Sequence, residues 1–361
     1  MMRDRLRHDL SDLMLIPGLS GHEDRVRRAI ATRLLGAGIA SRSDPLGNLI
    51  TSFPGTGPSV MLFTHMDQLG FIVRKIDDDG GIRVERMGGV PERALASQPV
   101  LLCGNRSDIP GIIANKAHHA TTPDEKYHVV KAPDLRIDTG HSSRAQVETA
   151  GIRIGTPVVY RPHVMDLPND RIAGTSVDDR AGCAVLLEVA RALATRQGGP
   201  TVHIVWSVQE EFNLRGALVA AQALQPDIAI QLDLMLATDT PDMADRGDMH
   251  LGQGPGMSLY SFHGRGTLNG VIPHPAMVDL FETTADAEAI NLQRSAQVGV
   301  LTDLSYVQPV GKGVASIDIG FPMRHSHSSL EMCDLGDLEH LTQLILAALP
   351  RITPDFKLNR D

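Results

Sequence analysis

Five side chains in this sequence are of the right type for binding a hard or borderline metal ion. They are His65, Asp178, Glu211, Asp233 and His327, and each falls at or near a predicted strand end or in the turn beside one. Imidazole with carboxylate suits Zn²⁺ or Co²⁺, with Mn²⁺ also acceptable, and no cysteine is needed. Five such ligands hold two metal ions if one carboxylate bridges. A pair of metals roughly 3.5–4 Å apart is a hydrolytic device that activates a water and polarises a carbonyl. Glu210, next to Glu211, is then free to act as general base. Asp67, two residues after His65, is placed to take the imidazole N–H and fix its tautomer.

Each signal has an ordinary alternative. An isolated Glu-Glu pair is usually a solvated acidic turn. Asp233 is harder to dismiss, because it lies inside the apolar run Ile228–Leu236 (IAIQLDLML), where a lone carboxylate is costly unless paired or bound to a cation. Other chemistries find no support. His22-Glu23 lacks the second histidine of a His-Glu-x-x-His zinc helix, and there is no nucleophile elbow or P-loop. The glycines of His263–Gly270 have no strand–turn–helix context and read as a loop.

The elements that position these groups follow from hydrophobic patterning. Val202, Ile204 and Trp206 alternate along a mostly apolar strand that runs out just before Glu210 and Glu211, and a helical pattern starts after Leu214. Neighbours in a regular strand point to opposite faces, so both glutamates reach one site only if the chain turns past the last pleat. That placement also opposes a glycosidase, whose two carboxylates face each other about 5–9.5 Å apart across a sugar bond. Further strands are expected over Leu49–Phe53, Ser59–Thr64, Ile228–Leu236 and Val314–Ile319, the last ended by Gly320-Phe-Pro322. Ser20-Gly-His-Glu23 fits a capping box ahead of a helix ending near Gly36. Other helices are expected after Asp178-Asp179, over His274–Ala289 and over Leu335–Leu349. Ligands in such α/β sheets gather at the carboxyl ends of the strands.

Between about 71 and 162 the texture changes to short strand-like runs, FIVRKI, IRVERM, PVLLC, PGIIA and TPVVY, separated by Gly, Pro and Asp. This predicts a small all-β unit inserted into an α/β domain made of residues 1–70 and 163–361. Within it, residues 115–131 read as a long polar loop.

Composition sets the outer limits. The 361 residues are 42% hydrophobic and 21% charged, as in ordinary globular proteins. A net charge of −9 argues against a nucleic-acid or anionic-membrane surface. No apolar run approaches a membrane span, and the first 18 residues do not read as a signal peptide. Three scattered cysteines suggest no disulfide framework and fit a reducing cytoplasm.

Taken together, the motifs resemble the glutamyl aminopeptidase or TET family, co-catalytic metallo-aminopeptidases that assemble into tetrahedral dodecamers. The resemblance is carried, in order, by PGLSGHEDRVR (17–27), DPLGNLI (44–50), THMDQLGFIV (64–73), PGIIANKAHH (110–119) and DLRIDTG (134–140). It continues through SVDDRAGC (176–183), VQEEFNLRGA (208–217), DLMLATDTPD (233–242), LGQGPG (251–256) and RHSHSSLEM (324–332). It implies a three-layer α/β/α domain, with the β-rich insertion as a PDZ-like or barrel dimerisation unit. It also implies one metal on His65, Asp178 and Asp233, a second on Asp178, Glu211 and His327, and Glu210 as base. The expected activity is removal of N-terminal residues from short peptides by a homo-oligomer. The alternative is a di-metal deacylase with the same ligands, and a third reading is a silent scaffold, which the filled ligand set opposes. Departures from the family pattern are His325 in place of Tyr, Phe212 and Asn213 before Leu-Arg-Gly-Ala, and the His118-His119 loop; these bear on specificity. A related subgroup carries an endoglucanase label, discounted by the carboxylate geometry above.

Overall fold

The computed structural model describes residues 1–264 and 268–360. Two helices, α1 (Met2–Met14) and α2 (Asp24–Gly36), precede strands β1 (Arg42–Ser43), β2 (Leu49–Phe53) and β3 (Val60–His65). A barrel follows, made by β4 (Gly70–Ile76), β5 (Ile82–Met87), β6 (Pro99–Cys103), β7 (Asp108–Ile113), β8 (Ile137–Asp138) and β9 (Pro157–Tyr160), with a short helix α3 (Arg144–Thr149). Next come β10 (Val164–Leu167), β11 (Arg171–Gly174), α4 (Val177–Leu193), β12 (Val202–Ser207), α5 (Gly216–Leu224) and β13 (Ile228–Leu236). The chain ends with β14 (Gly256–Phe262), β15 (Gly270–Val271), α6 (Pro275–Ala287), β16 (Gln293–Val298), α7 (Leu304–Val307), β17 (Ala315–Met323), β18 (Glu331–Asp334) and α8 (Leu335–Ala348).

The main sheet runs β1-β2-β12-β3-β13-β17-β14-β15, with β16 paired to β14. Its centre, β12, β3, β13 and β17, is parallel. Strand alternation divides the two faces. Val60 and Leu62 of β3 join a core with α1, α2, α4, α6 and α8, whereas Met61 and Phe63 join a second core with α5 and α7. Helices thus cover both faces of a largely apolar sheet, giving the three-layer α/β/α arrangement expected. A small sheet, β10-β11-β18, stands beside it.

The all-β unit is a closed barrel in the order β4-β5-β8-β7-β6-β9, with its own core of Phe71, Val84, Leu102, Ile137, Val158 and neighbours. Five of its six strands match the short runs read from the sequence; the two-residue β8 has no counterpart among them.

Three expectations need correction or completion. Ser20 does not cap α2: its hydroxyl donates to the Asp67 carboxylate, and helix α2 starts after Glu23 with no side-chain cap. Glu23 instead accepts the Gly21 and Gln209 amides, at 2.7 and 3.0 Å, so the box residues serve the site rather than the helix. Strand β17 continues through Gly320-Phe-Pro322 to Met323. The Met323 carbonyl accepts the Ala237 amide at 2.9 Å, so Pro322 points the other way, beyond the last β14 pairing at Gly320, and its missing N–H costs no ladder bond. Helix α1, unmarked in the sequence reading, buries Leu6, Leu10, Leu13 and Met14. The loop expected over His263–Gly270 includes residues 265–267, which lie outside the described residues.

Candidate metal centre

The parallel strands bring their carboxyl ends to one edge, and all five proposed ligands meet there. His65 is the last residue of β3, level with Ser207 at the end of β12. Asp233 lies in β13 opposite Gly320 of β17. Asp178 occupies the first turn of α4, where it and Asp179 depart from helical geometry. Gln209 adopts φ 58°, the turn past the last pleat of β12 that lets Glu210 and Glu211 approach the same place. His327, at φ 65°, follows β17.

His65, Asp178 and Asp233 offer ligand atoms all within 4.8 Å of one another, and so do Asp178, Glu211 and His327. Asp178 belongs to both groups and divides its oxygens between them. Oδ1 lies 3.0 Å from His65 Nε2, and Oδ2 lies 3.6 Å from His327 Nε2. Glu210 belongs to neither group but lines the same cleft, a space of about 510 Å³.

The electrostatics of the protein alone are unfavourable. Burial, with Asp178 close by, pushes Glu211 up to about 7, and burial does the same to Asp233. Glu210 is raised well above the usual carboxylate range, by burial and then by Glu211 and Asp233. His327 rises to about 9: burial opposes this, but Glu211 and Asp178 outweigh it. His65 is likewise raised against burial by hydrogen bonds to Asp178 and Asp67. Crowded carboxylates that hold protons, and imidazoles that hold charge, form a site short of positive charge. The mixed imidazole and carboxylate donors and their clustering fit divalent cations.

A second layer of groups holds these ligands. Asp67, fully buried, brings a carboxylate oxygen within 3.5 Å of His65 Nδ1, and its backbone carbonyl lies nearer, at 3.2 Å. It also accepts the Glu210 amide on Oδ1 and the Glu211 amide on Oδ2, each at 3.0 Å, which fixes the glutamate turn. Glu331 accepts the amides of Asp178 and His327. Gln231 Nε2 donates to Asp233 at 3.0 Å. Asp179 accepts the Gly182 amide at 2.9 Å and the Thr64 hydroxyl, so it holds the start of α4 rather than facing the ligands. The barrel contributes as well. The Gly89 carbonyl lies 3.1 Å from His327 Nδ1. A methyl on Gly89 would stand 2.6 Å from that nitrogen, and one on Gly88, at φ 84°, would stand 3.1 Å from Glu211 Oε2. Glu331, Gly88 and Gly89 went unread in the sequence. The glycine pair after β5 was the available signal.

The model of the M42 glutamyl aminopeptidase family matches residues 47–344. This chain belongs to that family. Over 360 residues it is 34% identical to the putative aminopeptidase SgcX of Escherichia coli, covering 99% of this chain and 96% of the relative. It is 31% identical to the lysyl aminopeptidase of Pyrococcus furiosus, covering 94% and 95%. Among solved structures, the aminopeptidase APDkam598 of Desulfurococcus kamchatkensis superposes with a TM-score of 0.91 at 30% identity, covering 99% and 97%. The TET1 peptidase of Pyrococcus horikoshii, which can assemble into a tetrahedron or a large octahedral shell, gives 0.86 at 25% identity, covering 95% and 99%. As an M42 peptidase the chain is a hydrolase acting as an aminopeptidase. Among the described residues, no helix is long and apolar enough to cross a membrane.

Proposed function

We propose that this M42 peptidase removes the N-terminal residue of short peptides at a centre of two divalent metal ions, with Glu210 as general base. The observation that carries the reading is Asp178, whose two oxygens face His65 and His327 in two separate three-residue groups. His65, Asp178 and Asp233 would hold one ion, and Asp178, Glu211 and His327 the other. When bound, the ions polarise the scissile carbonyl and acidify the attacking water. Zn²⁺ and Co²⁺ suit the donor set best, and Mn²⁺ is acceptable.

Glu210 is left over for proton transfer. Its carboxylate lines the cleft beside both groups, placed to take a proton from the attacking water and hand it to the leaving amine. Asp67 keeps it in place by its backbone, and His65 in one orientation by its ring. The likeness to an assembling TET1 peptidase supports a homo-oligomer, with the barrel as the dimer-forming unit and a dodecamer as the expected assembly.

The test is hydrolysis of free and N-acetylated amino-acid anilides before and after chelation. The reading requires cleavage of the free-amine set alone, lost with chelator and restored by Zn²⁺ or Co²⁺. Cleavage of the acetylated set would make the protein a deacylase and overturn the aminopeptidase assignment.

A further inference from the structure

Strand β14 pairs with β17 only through Gly256 and Met257, opposite Gly320 and Ile319. Its ladder with β16 is then interrupted by a bulge between Ser258 and Tyr260, where β14 draws away from β17. A hollow of about 20 Å³ lies where these strands part, behind the metal ligands. That volume suits a single water-sized occupant and is too small for a side chain. Ser261 and Gln297, register partners on β14 and β16, border it together with Asp318 of β17. They are 4%, 7% and 1% exposed. The Ser261 hydroxyl, Gln297 Oε1 and Asp318 Oδ2 have no hydrogen-bond partner in the protein, one another included. Buried oxygens left this way need a partner from outside the chain. The opposite ends of two of these side chains are tied. Gln297 Nε2 donates to the Leu236 carbonyl at 3.5 Å, and Asp318 Oδ1 accepts the Thr302 hydroxyl at 2.9 Å. Among the described residues, no lysine, arginine or histidine lines the hollow. Asp233 borders it too, but its oxygens accept from Gln231 and the Leu234 amide, and it belongs to the first ligand group.

We propose that this hollow binds a monovalent alkali cation, sodium or potassium, on Asp318 Oδ2, Gln297 Oε1 and the Ser261 hydroxyl. Hard cations take oxygen donors of this kind. One carboxylate among neutral oxygens balances a single positive charge, whereas a divalent ion would leave an excess charge buried. A water would satisfy the three oxygens but leave the Asp318 charge without a counterion. The ion ties β14, β16 and β17 together at the point where their ladder opens. It also lies beside Val300 and Thr302, which border both this hollow and the metal-ligand cleft. The site is distinct from the two ligand groups, and the proposal stands whatever reaction the cleft performs.

The experiment melts the metal-loaded enzyme in sodium, potassium or choline chloride at equal concentration, which matches general screening. Choline is too large to enter the hollow and leaves Asp318 only a proton for balance. The midpoint is expected to rise by about 3 °C or more in sodium or potassium over choline, and the gain should saturate with concentration. Asp318→Asn, which keeps the side-chain shape, should melt alike in all three salts. Ser261→Ala, which removes one oxygen, should show a smaller gain at each concentration. Crystals soaked in thallous acetate, whose ion stands in for potassium, should give an anomalous peak between Asp318 and Gln297. Equal midpoints of the natural enzyme in choline and in both alkali salts overturn the proposal and put a water in the hollow. An alkali gain that survives in Asp318→Asn overturns it too, as does thallium found only elsewhere. Should Asp318→Asn fail to fold, an undiminished gain in Ser261→Ala has the same force. None of these outcomes touches the anilide cleavage that tests the aminopeptidase reading.

Discussion

The side chain of Glu331 accepts the backbone amide of Asp178 at 3.0 Å. Its other oxygen accepts the amide of His327 at 2.8 Å, so one buried carboxylate ties together two ligands that come from different parts of the chain. In Glu331→Gln, an amide nitrogen must face one of these N–H groups, and one bond is lost. Groups that orient metal ligands typically cost 10–100-fold in affinity when changed. Competition with a chelator should show a loss of about that size, with the circular dichroism spectrum unchanged. Unaltered affinity would mean that Glu331 is only structural.

Glu210→Gln should leave metal content nearly as in the natural enzyme and lower kcat by about 10²–10⁴. Metal analysis alongside steady-state kinetics reads both. Normal turnover in this variant removes Glu210 from the mechanism.

Asp178→Ala removes the carboxylate common to both groups, whereas His327→Ala removes a ligand from one. After dialysis, the first should retain neither ion tightly and the second should retain one. Two tightly held metals per chain in Asp178→Ala would contradict the bridging assignment.

Gly89→Ala tests the barrel's part in the site. The added methyl meets the His327 ring at 2.6 Å, so the ring or the barrel segment must shift. One metal should bind more weakly while the ion on His65, Asp178 and Asp233 stays in place, and activity should recover partly at high metal concentration. Full occupancy at stoichiometric metal would show that the segment yields without cost.

Asp318, which feels the Asp233 carboxylate without belonging to either ligand group, gives a pH prediction. Burial raises its carboxyl to about 8, and one of its oxygens has no partner. A raised carboxyl binds its proton more tightly in the folded state. Its stabilising contribution is complete below the unfolded value of about 4 and is lost as pH climbs through about 8. Asp318→Asn keeps an acceptor for the Thr302 hydroxyl and cannot ionise. Urea unfolding of the two proteins should therefore diverge with pH, the variant gaining on the order of 4 kcal/mol relative to the natural chain between pH 5 and pH 8.5. Parallel pH curves would place Asp318 in a solvated setting.

The centre of the fold was legible because its strands are buried on both faces and read as continuous apolar runs: β13 occupies the same residues that patterning assigns. The ligand types were legible because they interrupt or end such runs. The grouping of ligands around each proposed metal came from the family resemblance; the structure brings the same residues into two clusters that share Asp178. The supporting layer was not legible. Glu331 sits in a four-residue strand with no periodicity, and its partners are backbone amides, which leave no trace in side-chain spacing. Ser20 and Glu23 satisfied a local helix-start pattern while their actual partners, Asp67 and the Gln209 amide, lie 47 and 186 residues away.

The Gly88-Gly89 segment makes two equilibria inseparable. Its Gly89 carbonyl lies 3.1 Å from His327 Nδ1, so a displacement of the barrel would withdraw the carbonyl that orients the His327 ring. Linkage then acts in both directions with equal strength. On the two-metal reading, a metal in the second position would clamp the barrel against the sheet, and any neighbour that grips the barrel in that pose would tighten the metal.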